Sequence, residues 1–181
     1  MHETLLDSTG PPTWWRFARR DLVIIALTLT CWLLTHTATD SALPGRLAGG
    51  LAILSAFLLH EWGHWLGARW SRSRISLPAT LASPFLYNFD AQQNNRRQFL
   101  ITSVAGFAAT GVFLVAYFLL LPDSHPGTAL ACNGALVLAT LTLVFEVPIA
   151  IAVAAGWPIP ELKLFGRAAP DSQPRSTDRI T

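Results

Sequence analysis

Four stretches of this chain are long and apolar enough to be read as bilayer spans: about Leu22 to Thr39, about Leu47 to Trp70, Phe99 to Leu121, and about Thr128 to Gly156. A helix needs about 20 mainly apolar residues to cross the hydrocarbon core. Lipid offers no hydrogen-bond partners, so the backbone of each span must satisfy itself, and a run of that length does so as a helix. Composition points the same way. The chain is 51% hydrophobic and 13% charged, with a mean hydropathy of +0.39, where a soluble domain carries roughly 25% charged residues. The expected fold class is an all-α integral membrane protein with about four transmembrane helices. A membrane-associated loop or short hairpin separates the second from the third. Residues 1–21 are expected as a cytosolic N-terminal segment, 22–161 as the membrane domain and 162–181 as a disordered cytosolic tail. That tail mixes Pro, Ser, Asp and Arg with almost nothing apolar, a composition that buries too little surface to fold.

Basic residues alternate with the spans. Arg16, Arg19 and Arg20 precede the first; Arg69, Arg72, Arg74, Arg96 and Arg97 flank the loop after the second; Lys163, Arg167, Arg175 and Arg179 follow the fourth. The other two links hold only Arg46 among the bases. Positive residues stay on the cytosolic side, so both termini are expected in the cytosol of a multi-pass protein of the cell (inner) membrane. Trp14, Trp15, Trp70 and Trp157 fall at the same ends, as an interfacial belt requires. The first span is not read as a signal peptide, because Thr37-Ala38-Thr39 is a poor cleavage site and the preceding charged region is long. A formal charge of +2 is too weak to suggest nucleic acid. Cys31 and Cys132 both lie in apolar runs and are read as small buried hydrophobes.

The loop between the second and third spans, Ser71 to Gln98, is unusually apolar. It holds Ile75, Leu77, Leu81, Phe85, Leu86, Tyr87 and Phe89, interrupted by Pro78 and Pro84. It is expected to lie against protein or the membrane interface, and its prolines exclude a long central strand.

The second span carries His60-Glu61-Trp62-Gly63-His64, an HExxH sequence. Random order at this composition would give roughly 0.003 such matches. The spacing has a mechanical reason. Residues i and i+4 stack on one helix face, so two imidazoles reach one metal ion. Glu61 lies about 100° round the helix, out of the ligand stack but within reach of a water activated by that ion. Such a water has its pKa lowered to about 7, and a neighbouring carboxylate takes its proton as it attacks a carbonyl. Ionisable groups at the middle of a span cost roughly 2.5–3.5 kcal/mol each, and a metal offsets that cost for the histidines, which bind it neutral. The alternative is a polar cluster that merely packs helices.

A catalytic zinc usually has three protein ligands and an open position. Candidates for the third are Glu146, Asp90, Asn133, Glu161 and His36. At 1.5 Å per residue, His60 and His64 lie roughly 20 and 26 Å from the outer end of their span, Glu146 roughly 28 Å and Asn133 about 9 Å. Glu146 matches the pair in depth. Pro148 follows it and removes a backbone donor, which predicts a bend there. Asp90, on the aromatic loop, is the runner-up ligand, with a turn residue as its alternative reading. The small residues Ala105, Gly106, Ala108, Ala109 and Gly111 let the third span approach the motif helix closely, with Gly63 and Gly67 facing the same contact.

The stretch His60-Glu61-Trp62-Gly63-His64-Trp65-Leu66-Gly67-Ala68-Arg69 resembles the HExGH helix of the site-2 protease class of intramembrane metalloproteases. The order of parts from Leu47 to Gly156 is similar too, with Ala105-Gly106 where that family often shows Ala-Gly-Pro. The resemblance implies an all-helical membrane core with one Zn²⁺ reached from the cytosolic side. The implied reaction is hydrolysis of a peptide bond in or beside a membrane span, so the partner is a membrane protein or peptide substrate within the lipid bilayer. The family draws its last ligand from an Asp-Gly pair; no Asp-Gly occurs here, and Phe145-Glu146-Val147-Pro148 stands in its place. The resulting expectation gives His60, His64 and Glu146 to the metal and makes Glu61 general base and later proton donor. Two rival readings use the same residues: a non-catalytic metal-binding scaffold or chaperone, which has no need of Glu61, and a metal transporter, which would want more acids along its path.

Overall fold

Long apolar runs without internal prolines become helices, and helices dominate the computed structural model of the chain, which describes residues 13–36, 42–78 and 80–160. They are α1 (Trp14–His36), α2 (Ala42–Trp70), α3 (Arg96–Leu120), α4 (Thr128–Leu141) and α5 (Val147–Ala154). A π-helical turn, Thr142–Glu146, joins α4 to α5. Thr128–Ala154 therefore runs as one rod. Among the described residues three helices are long and apolar enough to cross a membrane: Leu43–Trp70, Arg96–Leu120 and Thr128–Ala154.

The first expected span differs. α1 starts at Trp14, not Leu22, and its first two turns carry Arg16, Arg19, Arg20 and Asp21. Residues 14–21, expected as part of a separate segment, are thus the opening turns of this helix. Residues 37–39, the expected end of that span, lie outside the described residues, as do residues 1–12, Glu161 and the tail. α2 also begins earlier than expected, at Ala42, with Pro44 in its first turn, where a missing N–H leaves no intrahelical bond unmade.

α2 is the centre of the fold, with α1, α3 and α4 packed on it. Many of its inward positions are small: Ala48, Ala52, Ala56 and Ala68 are buried, and Ala131 and Ala135 answer them from α4. Many large apolar side chains point outward, among them Leu54, Leu59, Leu66, Val112, Leu119, Leu136 and Leu143, while Leu58 and Phe113 turn inward. Small residues inside and large ones outside is the arrangement that lets backbones approach where lipid is the solvent. Gly63 and Gly67 show it most directly. A Cβ on Gly63 would meet the Ala105 carbonyl at 2.8 Å, and one on Gly67 the Ile101 carbonyl at 2.9 Å.

The start of α3 is fixed by a capping box. Asn95 Oδ1 accepts from the Gln98 N–H at 3.0 Å, and Gln98 Oε1 accepts from the Asn95 N–H at 2.9 Å. Gln98 Nε2 also donates to the carbonyls of Ser71 and Arg72, tying the beginning of α3 to the end of α2. Between them, β1 (Ile75–Ser76) pairs antiparallel with β2 (Asn88–Phe89), Ile75 opposite Phe89. Asn94 closes this hairpin by donating to the carbonyls of Arg74 and Asp90, each at 2.7 Å.

Candidate metal centre

His60 and His64 lie one turn apart on α2, and their rings converge. The two Nε2 atoms are 3.0 Å apart. Glu146 enters from the π-turn and presents one carboxylate oxygen to each ring, Oε1 at 3.2 Å from His60 Nε2 and Oε2 at 3.1 Å from His64 Nε2. These three residues form a group suited to hold a metal ion. The distances themselves fit one: four-coordinate ligands at about 2.0–2.1 Å from an ion are separated by roughly 3.3 Å.

The far side of each ring says which nitrogen carries the proton. His64 Nδ1 faces the Thr102 carbonyl at 2.9 Å. A carbonyl only accepts, so Nδ1 donates. His60 Nδ1 faces Thr110 Oγ1 at 2.8 Å, and that hydroxyl donates onward to the Gly106 carbonyl at 3.2 Å. Thr110 therefore has a lone pair left for His60, and Nδ1 is again the donor. In the neutral rings both Nε2 atoms are then lone pairs aimed at each other and at a carboxylate. A proton can relieve one of those contacts at a time, whereas a metal ion relieves all three. Outer partners of this kind are what fix the tautomer and orientation of a metal-binding histidine.

The π-turn explains how the carboxylate arrives. Pro148 has no N–H to give, and the helix answers with one wider turn in which the Val147 N–H bonds the Thr142 carbonyl. The bend expected at Pro148 thus takes the form of an inserted residue. Insertions of this type recur at functional sites because they rotate the side chains that follow against those before.

Glu61 is buried, and its Oε2 accepts from the Leu86 N–H at 3.2 Å. It lines a half-open cavity of about 320 Å³ together with His64 and Glu146. Half of the remaining lining residues are aromatic: Phe85, Tyr87, Phe89, Phe99 and Phe145. Burial first, then the carboxylates of Glu61 and Glu146, push the Tyr87 phenol above its ordinary pKa, so it keeps its proton.

The other candidate ligands do not join. Asp90 Oδ1 accepts from the N–H groups of Gln92 and Gln93 at 3.0 Å, and Oδ2 accepts from Gln93 Nε2 at 2.7 Å. It is the turn residue of the alternative reading. Asn133 is exposed on α4. Glu161 and the His36 side chain lie outside the described residues.

Several contributors escaped the sequence. Trp62, inside the motif, donates its indole N–H to Asp21 Oδ2 at 2.9 Å, and Asp21 is 2% exposed. Asp21 Oδ1 accepts from Arg20 Nε at 2.7 Å, while Arg20 Nη1 donates to the carbonyls of Leu81 and Ser83. One acid–base pair on α1 thereby braces both the motif and the loop above it. Thr102, Gly106 and Thr110 also matter, and a signal for them exists: they recur every four residues, one stripe of α3.

Gly106 has a particular role in that stripe. A Cβ there would run into the His64 ring at Cε1, Nε2 and Nδ1. The ring is held on both sides, by Thr102 and by Glu146, so it cannot yield without leaving one of them. Gly106→Ala should therefore weaken metal binding by about 10–100-fold, the usual cost of disturbing a ligand's outer contacts. Titration of the metal-stripped variant with Zn²⁺ measures this, and a wild-type affinity would show that the ring is free to move.

No protein family, no curated protein and no solved structure matches this chain.

Proposed function

We propose that the protein is a membrane-embedded zinc metallopeptidase of site-2 protease type, cleaving peptide bonds in or near membrane-spanning segments of partner proteins. The observation that carries this reading is the convergence of His60, His64 and Glu146 beside a buried Glu61 on an apolar helix. Two imidazole nitrogens and a carboxylate suit zinc, which favours such mixed donors in four-coordinate sites. Bound there, zinc would polarise the scissile carbonyl and make water a nucleophile near neutral pH.

The chain's own groups supply the rest. Glu61 takes a proton from the attacking water and returns it to the leaving nitrogen. The Leu86 N–H holds one of its oxygens, leaving the other to accept that proton. The aromatic cavity wall excludes bulk water and receives apolar side chains. β2 contributes Asn88 and Phe89 to the cavity lining, so an unwound substrate strand laid beside this short hairpin would find backbone partners and little demand on its sequence.

The topology we propose has four spans, α1 included, with both termini cytosolic. Leu22, Val23, Leu27, Leu29, Leu33 and Leu34 on α1 are all exposed, a surface that wants lipid. Trp14 and Trp15 at its start and Trp70 and Trp157 elsewhere stand exposed at the expected cytosolic level.

The test is cleavage of membrane-span peptides by the purified protein in liposomes. Cleavage should vanish on dialysis against a chelator of divalent ions and return with stoichiometric Zn²⁺. A protein that binds Zn²⁺ but never cleaves would be the scaffold instead.

A further inference from the structure

Amide hydrolysis needs more than a base and an electrophile. Negative charge builds on the carbonyl oxygen, and a preorganised hydrogen-bond donor aimed at that place stabilises the transition state more than the bound amide. Besides Glu61, His64 and Glu146, the cavity wall offers four side chains with polar atoms: Tyr87, Asn88, Thr102 and Ser103. Three are poor candidates. The Ser103 hydroxyl is already donating to the Phe99 carbonyl at 3.0 Å. The Thr102 hydroxyl is also without a partner, but the atom is fully buried and has no open face from which to reach a substrate. Asn88 is exposed on β2, where water competes for its amide.

Tyr87 differs from all three. It is half-buried on the cavity wall. Its hydroxyl has no hydrogen-bond partner among the described residues. It lines the same cavity as Glu61 and Glu146 and feels the charge of both. Its backbone is registered to the site from both sides: the Leu86 N–H is bonded to Glu61, and Asn88 is paired with Ser76. A phenol so placed is an uncommitted donor on the same cavity wall as the base.

We infer that Tyr87 is a catalytic residue, its phenolic O–H donating to the oxygen of the scissile carbonyl as that oxygen becomes negative. This rests on the peptidase reading given above. The water oxygen bonds to the carbonyl carbon, its proton passes to Glu61, and the carbonyl π pair moves onto oxygen, where the Tyr87 hydrogen bond shortens without proton transfer. On collapse the C=O re-forms, the C–N bond breaks, and the Glu61 proton goes to the departing nitrogen. Tyr87 ends as it began.

Tyr87→Phe keeps the ring and its packing and removes only the donor. Bound zinc per chain and thermal stability should match wild type. The kcat for a cleaved peptide should fall by about 10²–10³-fold, the effect of deleting one such donor, with KM little changed. A second readout does not use turnover. Affinity for a phosphinic peptide, whose tetrahedral anion mimics the charged oxygen, should fall by a similar factor, while affinity for the cleavage-product peptide stays at the wild-type value. Wild-type kcat in Tyr87→Phe overturns the assignment, as does an equal loss of affinity for both ligands, which would make Tyr87 a general packing contact. If wild type itself cleaves nothing, the peptidase reading falls, and the role of Tyr87 falls with it.

Discussion

Glu61→Gln should retain its full complement of metal and lose cleavage by about 10²–10⁴-fold, the usual contribution of a positioned general base. That corresponds to roughly 3–5 kcal/mol of barrier. The substitution is nearly isosteric, and the amide oxygen still accepts from the Leu86 N–H, so the loop above the site stays where it is. Metal should stay too, because Glu61 is not in the converging group of His60, His64 and Glu146. What the amide lacks is a lone pair basic enough to take a proton from water. Metal analysis and the cleavage rate on the same preparation make the measurement. Undiminished cleavage would falsify the catalytic assignment, and loss of metal would make Glu61 a ligand. The variant also separates the peptidase from a scaffold that happens to bind zinc, for which Glu61 has no work to do.

The sequence disclosed the parts of this site whose chemistry is local. His60, Glu61 and His64 lie within two turns of one helix, so their spacing alone decides which face each occupies. Glu146 could be ranked because a membrane span is a ruler: depth follows from residue count, and only this carboxylate matched the pair. The ruler does not reach Asp90, which stands second as a loop ligand with a turn residue as its alternative reading, and the fold shows it engaged in its own turn. What the sequence hid is tertiary. His64 finds a carbonyl on α3 that is 38 residues away, and His60 a hydroxyl 50 away. No pattern in α2 announces either. The Asp21–Trp62 bond was hidden for a further reason. Asp21 falls at the end of the expected N-terminal segment, 1–21, whereas α1 starts at Trp14 and carries it, buried, against the motif. The span count shows the same limit. Among the described residues three helices meet the requirement on length and apolarity, and the charges that open α1, Arg16, Arg19, Arg20 and Asp21, set it apart from them.

Trp62 and Gly106 show how much of the site's precision comes from outside the ligands. Trp62 occupies a position in the motif that metal chemistry leaves free, and the fold uses it to lock α2 against α1. In the sequence Gly106 is one of a run of small packing residues, yet its missing side chain is the space in which the His64 ring stands. A ring confined in this way loses little entropy when it binds, and preorganisation of that kind separates a metal site that holds one geometry from one that is merely populated.

Glu146→Ala should strip the site of its ion. The two imidazoles alone leave a pair of neutral donors on one helix turn, and the negative charge that balances a divalent cation is gone. Disturbing only the outer contacts of a ligand costs about 10–100-fold in affinity, so removing a ligand outright should exceed about 100-fold. Zn²⁺ titration of the detergent-solubilised variant, followed by metal analysis after gel filtration, reads this directly. Asp90→Ala is the internal control: its carboxylate is committed to the Gln92–Gln93 turn, so metal content should not change. The opposite pattern, metal kept in Glu146→Ala and shed in Asp90→Ala, would transfer the third ligand to the loop and with it the reason for the π-turn. Glu146→Asp sharpens the point. The carboxylate survives but is one methylene shorter, on a helix whose register is already set by the inserted residue before Val147. A large loss of affinity in that variant would mean that the π-turn positions this particular side-chain length, and near-wild-type binding would mean that the helix can adjust its wide turn to bring a shorter ligand in.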